Sequence, residues 1–355
     1  MSCSKILMIS AVIISVMLPQ CSPDGEKRFS SGAGLYNNGR TEDAVKEFEE
    51  GMISFISIKS LSDADIKSCG NALYVRDAEK IKIIYPVKIK IELPADYNII
   101  SFDPISNRLA ATNCADIKIF DAEGSLIKII SPVENVNKNI KSVLLNCDNI
   151  IYYIDSIIYT CNISTGEAKT VTGAKFESPV ADTFYSVRFY LSGGTLAAAA
   201  GIAGVYYLSV IDLAKNAVLI KNREIASCKL FFSGDDIYYI SGKSGNWTLN
   251  QLTIKTNNIR RISGFTDISD VEFADAGIMI ENNPGIWFLK YDGDKPDRIP
   301  FNYRLAGGCS GYTLLRYKDE AYISDIKIFR DKLYYLKNIA PLIFSEKKED
   351  GNSPR

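Results

Sequence analysis

Cys228–Gly264 reads CKLFFSGDDIYYISGKSGNWTLNQLTIKTNNIRRISG, and the order of its segments decides the architecture. A short apolar run is followed by a Gly234-Asp235-Asp236 turn, then Ile237–Ser241, then a turn at Gly245-Asn246-Trp247, a third run and a basic fourth. Runs this short, rich in Ile, Tyr and Phe and bounded by Gly, Asn and Asp, are strands. The unit recurs along the chain. Further turn signals lie at Gly70-Asn71, Ser106-Asn107, Asp148-Asn149, Gly193-Gly194 and Ala276-Gly277. The residues that follow the turns and open apolar strands are Ala72, Leu109, Ile150, Leu196, Ile237, Ile278 and Ala321, with spacings of 37, 41, 46, 41, 41 and 43.

A repeat near 40–45 residues, built from four short strands, is the signature of a β-propeller. The expected fold is therefore mainly β: a seven-bladed propeller over 61–340, or a six-bladed one if the segments 63–95 and 312–338 share a closing blade. Leu333-Tyr334-Tyr335-Leu336 is read as one of its strands. Two units resemble known blades. Ile100–Ile130, ISFDPISNRLAATNCADIKIFDAEGSLIKII, is similar to a WD-repeat blade with Phe120-Asp121 at the place of the Trp-Asp pair, and Cys228–Gly264 resembles a TolB-type blade. The Gly-His element of WD repeats is missing, since the chain has no histidine.

The N-terminus carries an address. Lys5 precedes the uncharged run Ile6–Leu18, which is too short to span a bilayer and has the layout of an export signal. It ends at Leu18-Pro19-Gln20-Cys21 before the polar Ser22-Pro23-Asp24-Gly25, which resembles the lipobox of bacterial, spirochaete-like lipoproteins. The resemblance implies that residues 1–20 are removed and that Cys21 becomes the lipid-attachment site. The chain would then be anchored in the cell envelope without a spanning helix. The other long apolar stretch, Leu196–Ile211, is interrupted by Gly201 and Gly204 and reads as two buried strands.

Residues 21–60 are read as a linker and a helical hairpin. Thr41 is the expected N-cap of its second helix, Glu42 and Asp43 suit the first turn, and Asn37-Asn38-Gly39 ends the first helix. GLYNNGRTEDAVKEFEEGM resembles one tetratricopeptide motif, with Leu35, Tyr36, Gly39, Ala44, Phe48 and Gly51 at its characteristic positions. A single such repeat cannot bury its own face, so it must dock on the propeller or on a partner.

The absent histidine removes Ser-His-Asp and Cys-His catalysis and His-ligated metals. No G-x-S-x-G, G-x-G-x-x-G or G-x-x-x-x-G-K-[ST] occurs. A net charge of -1 argues against a nucleic-acid partner. Carboxylate chemistry survives, and Asp103, Asp182, Glu272 and Glu281 are the candidates near blade turns. The acidic runs Asp63-x-Asp65, Asp235-Asp236 and Asp292–Asp297 read as turns, and neither a metal nor a cofactor is expected.

Removal of Cys3 and acylation of Cys21 leave Cys69, Cys114, Cys147, Cys161, Cys228 and Cys309, expected as buried thiols. The doublets Tyr152-Tyr153, Tyr206-Tyr207, Tyr238-Tyr239 and Tyr334-Tyr335 are expected to send their rings to opposite faces of a strand. Residues 341–355 are expected as a disordered tail. These readings converge on a non-enzymatic envelope lipoprotein that docks an envelope protein or peptide. The alternative is a carbohydrate-active or ligand-sensing propeller that uses funnel carboxylates.

Overall fold

Leu196–Ala200 is buried along its whole length because its strand has an apolar neighbour on each side. Leu196, Ala198 and Ala200 pack with Tyr153, Ile158 and Val187, whereas Ala197 and Ala199 pack with Leu208, Ile237 and Tyr239. Side chains two apart share a face, so a sheet sandwiched between two others needs apolar residues at every position. The two strands are Thr195–Ile202 and Val205–Asp212, paired antiparallel. Among the described residues, no helix is long and apolar enough to cross a membrane.

The computed structural model of the chain describes residues 23–344, except 57–59, 63–65, 70–71, 77–78, 86–90, 98, 133–138, 155–156, 172–185, 203–204, 244, 283–284, 293–295, 310–311 and 319. The signal segment, Cys21, Asp63, Asp65, Asp182 and the tail from 345 lie outside the described residues, as do the side chains of Cys69 and Cys309.

Among the described residues, the strands form seven four-stranded antiparallel sheets. The first six are meanders of consecutive strands, running Ile66 to Pro94, Ile99 to Ile130, Ser142 to Thr170, Ser186 to Ile225, Leu230 to Phe265 and Asp270 to Ile299. The seventh joins Arg304–Cys309, Tyr312–Tyr317 and Glu320–Asp325 to Ser60–Ser62, with Leu61 opposite Ala321. The first and last of the described strands thus share a sheet, but Ile66–Pro94 forms another of its own. First strands of successive sheets are neighbours, and that of the seventh neighbours that of the first. The core is correspondingly a series of layers between adjacent sheets.

The tyrosine doublets follow this layering in the sheets. Tyr152 joins the layer with Ile117, Ile119 and Val143, and Tyr153 the layer on the opposite side with Val187 and Leu196. Tyr206 and Tyr207 divide in the same way.

Helix α1 (Pro23–Asn37) and helix α2 (Thr41–Ile56) form the hairpin. It begins at Pro23, where a missing N–H costs nothing. Arg40 N donates to Leu35 O (2.9 Å) and Gly39 N to Tyr36 O (3.0 Å) across Gly39 at φ +75°, a Schellman turn. Ala44 N then donates to Arg40 O (3.0 Å), which makes Arg40 the cap residue and puts Thr41, the expected cap, inside the helix. The turn is so tight that Arg40 both closes α1 and opens α2. Gly32 and Gly51 let the helices meet: an added Cβ would stand 2.6 Å from the Phe48 ring and 2.6 Å from the Phe29 ring, respectively.

The hairpin docks on the sheets. Phe29, Ala44, Phe48 and Met52 share one core with Met279, Phe288, Phe301 and Leu315 of the sixth and seventh sheets and the loop between them. The buried Glu49 carboxyl accepts from Asn302 N (2.6 Å) and Tyr317 Oη (3.2 Å), while its carbonyl accepts from Tyr303 Oη (2.6 Å).

The C-terminal readings need correction. Leu333–Leu336 is not a strand but part of helix α3 (Ile326–Ile339). Asp325 caps it, accepting from Lys327 N (2.8 Å) and Ile328 N (3.1 Å), and Ile326, Phe329, Leu333 and Leu336 are buried at helical spacing. Strands therefore end at Asp325, short of 340. A short helix α4 (Pro341–Phe344) takes the first residues of the expected disordered tail, with Ile343 and Phe344 against the shared core. Ala321 lies on the third strand of its sheet, whereas the other six aligned residues lie on second strands. Thr313, opposite Gly308, takes the equivalent place.

Candidate functional site

The first strands of the second to sixth sheets surround a cavity of about 810 Å³, the central channel. Among the described residues, its charged lining is Lys141, Arg188 and Lys327 against Asp275 and Asp325, with Phe231, Phe232 and Phe273 between them. An acidic funnel is not what this lining makes. One of its two carboxylates, Asp325, already serves as the cap of α3.

The candidate carboxylates do not converge. Asp103, at the end of the first strand of the second sheet, accepts from Ile105 N (3.2 Å), Ser106 N (3.0 Å) and Ser106 Oγ (2.5 Å), which folds the turn. It also accepts from Cys147 N (2.8 Å) in the next sheet. Burial pushes its carboxyl up, but these bonds outweigh burial and hold it below the ordinary value. Glu281 accepts from Leu305 N (2.7 Å) of the seventh sheet. Glu272, on the neighbouring strand, turns toward the fifth sheet, where Lys229 Nζ donates to it (2.5 Å) and to Asp270 (2.7 Å). Glu272 and Glu281 share a face of their own sheet, with Asp270 opposite Glu281 and Glu272 opposite Met279, but they are bonded to different neighbouring sheets.

The Lys229 group is the most buried charge cluster of the described candidates. Burial opposes the Lys229 ammonium, yet the two carboxylates outweigh it and hold its pKa above the ordinary value. Burial pushes Glu272 up, with Lys229 pulling it back. Asp270, Glu272 and Lys229 tie the fifth and sixth sheets together.

The turn carboxylates are likewise engaged: Asp235 pairs with Lys255 (2.5 Å), Asp236 accepts from Thr253 Oγ1 (2.7 Å), and Asp297 pairs with Lys337. Asp121, at the place of the Trp-Asp pair, accepts from Glu123 N and Ser125 N and closes its turn. Among the described residues, no group of three potential ligands could hold a metal ion. Cys161 is buried as expected, and burial pushes its thiol up; Cys114, Cys147 and Cys228 form no disulfide but are only half-buried.

Sequence reasoning missed two features. Leu145 N donates to Ser101 Oγ (3.0 Å), Cys147 N to Asp103 and Gly234 N to Ser192 Oγ (3.2 Å), joining neighbouring sheets across separations of 44, 44 and 42 residues. Their one-repeat spacing was the available signal. The second is an off-axis cleft between the fifth and sixth sheets, described below, whose residues come from three strands, two turns and helix α3.

No protein-family model matches the sequence, and no curated protein is similar to it. The chain is similar in fold to a chain in the crystal structure of a mitotic checkpoint complex, with TM-score 0.51 and 9% identity over 76% of this chain and 91% of that one. Weaker likenesses are to Kuenenia stuttgartiensis hydrazine synthase (TM-score 0.45, 13% identity, 71% and 80% covered) and to PorZ of the type-IX secretion system of Porphyromonas gingivalis (TM-score 0.43, 10% identity, 76% and 38% covered). At such identities the fold alone is shared. The class is that of mainly β, propeller-like proteins.

Proposed function

We propose that the chain is a seven-bladed propeller acting as a non-enzymatic docking scaffold in a bacterial cell envelope. It is held to a membrane through acylated Cys21 and offers its face and its tetratricopeptide-like hairpin to an envelope protein or peptide. Nucleic acid is not among its partners. The observation that carries this reading is the occupation of the candidate carboxylates: Asp103, Glu272 and Glu281 each bond a different neighbouring sheet. The neighbouring first strands of the seven sheets support the blade number. A rigid attachment is supported as well. α1 starts two residues after Cys21, and Glu49 bonds the hairpin to the sheets, so the anchor would fix the propeller's orientation at the membrane.

Photo-crosslinking in cells, from Lys141 and Lys327 at the channel and from Ile129 on an outer strand, tests the scaffold. One recurrent envelope protein captured from the channel positions alone is expected; adducts equally spread over all three, or none, count against it. Labelled palmitate should enter the chain and be lost in Cys21→Ser.

The open channel favours one second reading, a ligand-sensing propeller. If Lys141→Ala, a change confined to the channel lining, abolished binding or hydrolysis of a small molecule, that reading would replace the first.

A further inference from the structure

Tyr238 rests on Tyr291 with ring centroids 4.0 Å apart, and Phe231 stacks on the same Tyr291 at 5.2 Å and 3°. Tyr238 and Tyr291 line an off-axis cleft of about 700 Å³ between the fifth and sixth sheets, walled on one side by Arg330 of α3. That volume lies in the range of small-molecule sites, about 300–1,000 Å³. The half-buried Tyr238 ring is held from behind by Tyr291, whose hydroxyl donates to Ala274 O (2.7 Å).

The cleft carries both signs of charge. Arg260, Lys290 and Arg330 line it, and so do Asp275 and Asp292. The cations are already positioned: Arg260 Nη2 donates to Tyr291 O (3.2 Å), Arg330 pairs with Asp331 (2.8 Å), and Lys290 Nζ lies 4.2 Å from the Tyr334 ring centroid. The amides of Gln251 and Asn258 add groups that both donate and accept.

This mixture discriminates among ligands. A phosphate or an acidic peptide would meet Asp275 and Asp292, and a metal cation would meet Arg260, Lys290 and Arg330. An apolar ligand would strip water from all of them without replacing its hydrogen bonds. A sugar hydroxyl donates and accepts at once, so cations, amides and carboxylates can all serve it, and the apolar face of a pyranose suits a fixed aromatic ring.

We propose that this cleft binds a neutral saccharide, one pyranose face on Tyr238 and its hydroxyls shared between Asp292, Asn258 and Arg260. The cleft adjoins the central channel, whose lining also includes Asp275, and the proposal does not depend on the docking reading.

Isothermal titration of the full chain in detergent with maltotetraose, cellotetraose and chitotetraose tests it, with inorganic phosphate and a hexaglutamate peptide as comparators. At least one oligosaccharide should saturate the protein, with a Kd at or below the millimolar range. The exposed Asn258→Ala and Asp292→Ala changes together should weaken that binding about tenfold or more while leaving the thermal midpoint unchanged. Lys141→Ala in the channel should not alter it. Absence of saturation by any of the three at about 10 mM, tenfold beyond a millimolar Kd, overturns the proposal. Binding that ignores the double variant does so too, as does binding of phosphate or the peptide in place of sugar.

Discussion

Three glycines of the hairpin should answer the same substitution with opposite signs. At Gly34, on the exposed side of α1, an added Cβ meets nothing within 4 Å. Alanine there gains helix propensity, up to about 1 kcal/mol in a helix interior and nearer 0.5 kcal/mol this close to the last turn. At Gly51 the new Cβ would stand 2.6 Å from Phe29 Cδ1 and 3.2 Å from Arg28 Cβ, and at Gly32 it would stand 2.6 Å from Phe48 Cε1. Neither ring can swing aside cheaply. Phe29 lies edge-on to Phe48 (5.9 Å, 86°) and stacked on Tyr335 of α3 (6.1 Å, 8°), and both phenylalanines are buried in the core shared with the sheets.

Overpacking costs about 1–3 kcal/mol, which exceeds the propensity gain. Gly32→Ala and Gly51→Ala should therefore each lose about 1–2 kcal/mol, while Gly34→Ala gains about 0.5 kcal/mol. Urea unfolding followed by far-UV circular dichroism reads the difference, and hydrogen exchange of α1 and α2 locates it. Phe29→Leu should partly restore the Gly51→Ala variant, giving a double substitution milder than the sum of its parts. If Gly51→Ala stabilised the chain as much as Gly34→Ala, the close crossing of the helices would be wrong.

Other sites give further expectations. Glu49→Ala removes the acceptor for Asn302 N–H and the Tyr317 hydroxyl and should cost about 2–4 kcal/mol, seen as a lower thermal midpoint and faster proteolysis of the hairpin. Lys229→Ala leaves Glu272 buried beside Asp270 and should cost about 3–5 kcal/mol. Adding Glu272→Gln should recover part of that loss, and strict additivity in the cycle would refute the coupling. Asp103 is held below the ordinary carboxyl value, so it stabilises the fold above that value and the contribution fades as pH falls through the depressed one. Thermal midpoints of wild type and Asp103→Asn, measured from roughly pH 5 to pH 2, should converge toward the acid end.

The sheets were legible because their strands repeat, and because runs such as Leu196–Ala200 must be apolar on both sides. The hairpin was legible from Gly39, Ala44, Phe48 and Gly51. Helix α3 was misread because the Tyr334-Tyr335 doublet, flanked by Leu333 and Leu336, looks like the strand doublets earlier in the chain. The Asp325 cap and the 326/329/333/336 spacing contained the contrary signal. Ala321 was misaligned because it opens the third strand of its sheet, whereas the position equivalent to the other six is Thr313, at the start of the second. The carboxylates were found as residues but not as neighbours. Glu272 and Glu281 share a face of their sheet, and Glu272 is claimed by Lys229, a repeat away in the chain, while Glu281 is claimed by Leu305 N–H.

The clasp between Ser60–Ser62 and Glu320–Tyr322 also sets a timetable for the molecule's making. Glu49 finds Tyr303 and Tyr317 across 254 and 268 residues. A chain emerging N-terminus first must carry an unmatched strand and a hairpin with half its core missing until the strand Glu320–Asp325 has been synthesised. Contacts that distant form slowly, and until they do the sheets remain an open strip with reactive edges. The same arrangement works in reverse once the circle is complete. Among the described residues, Ser60–Ser62 pairs only with Glu320–Tyr322, and the hairpin shares its core with α3, so removing Glu320–Asp325 together with α3 would release the N-terminal hairpin as well.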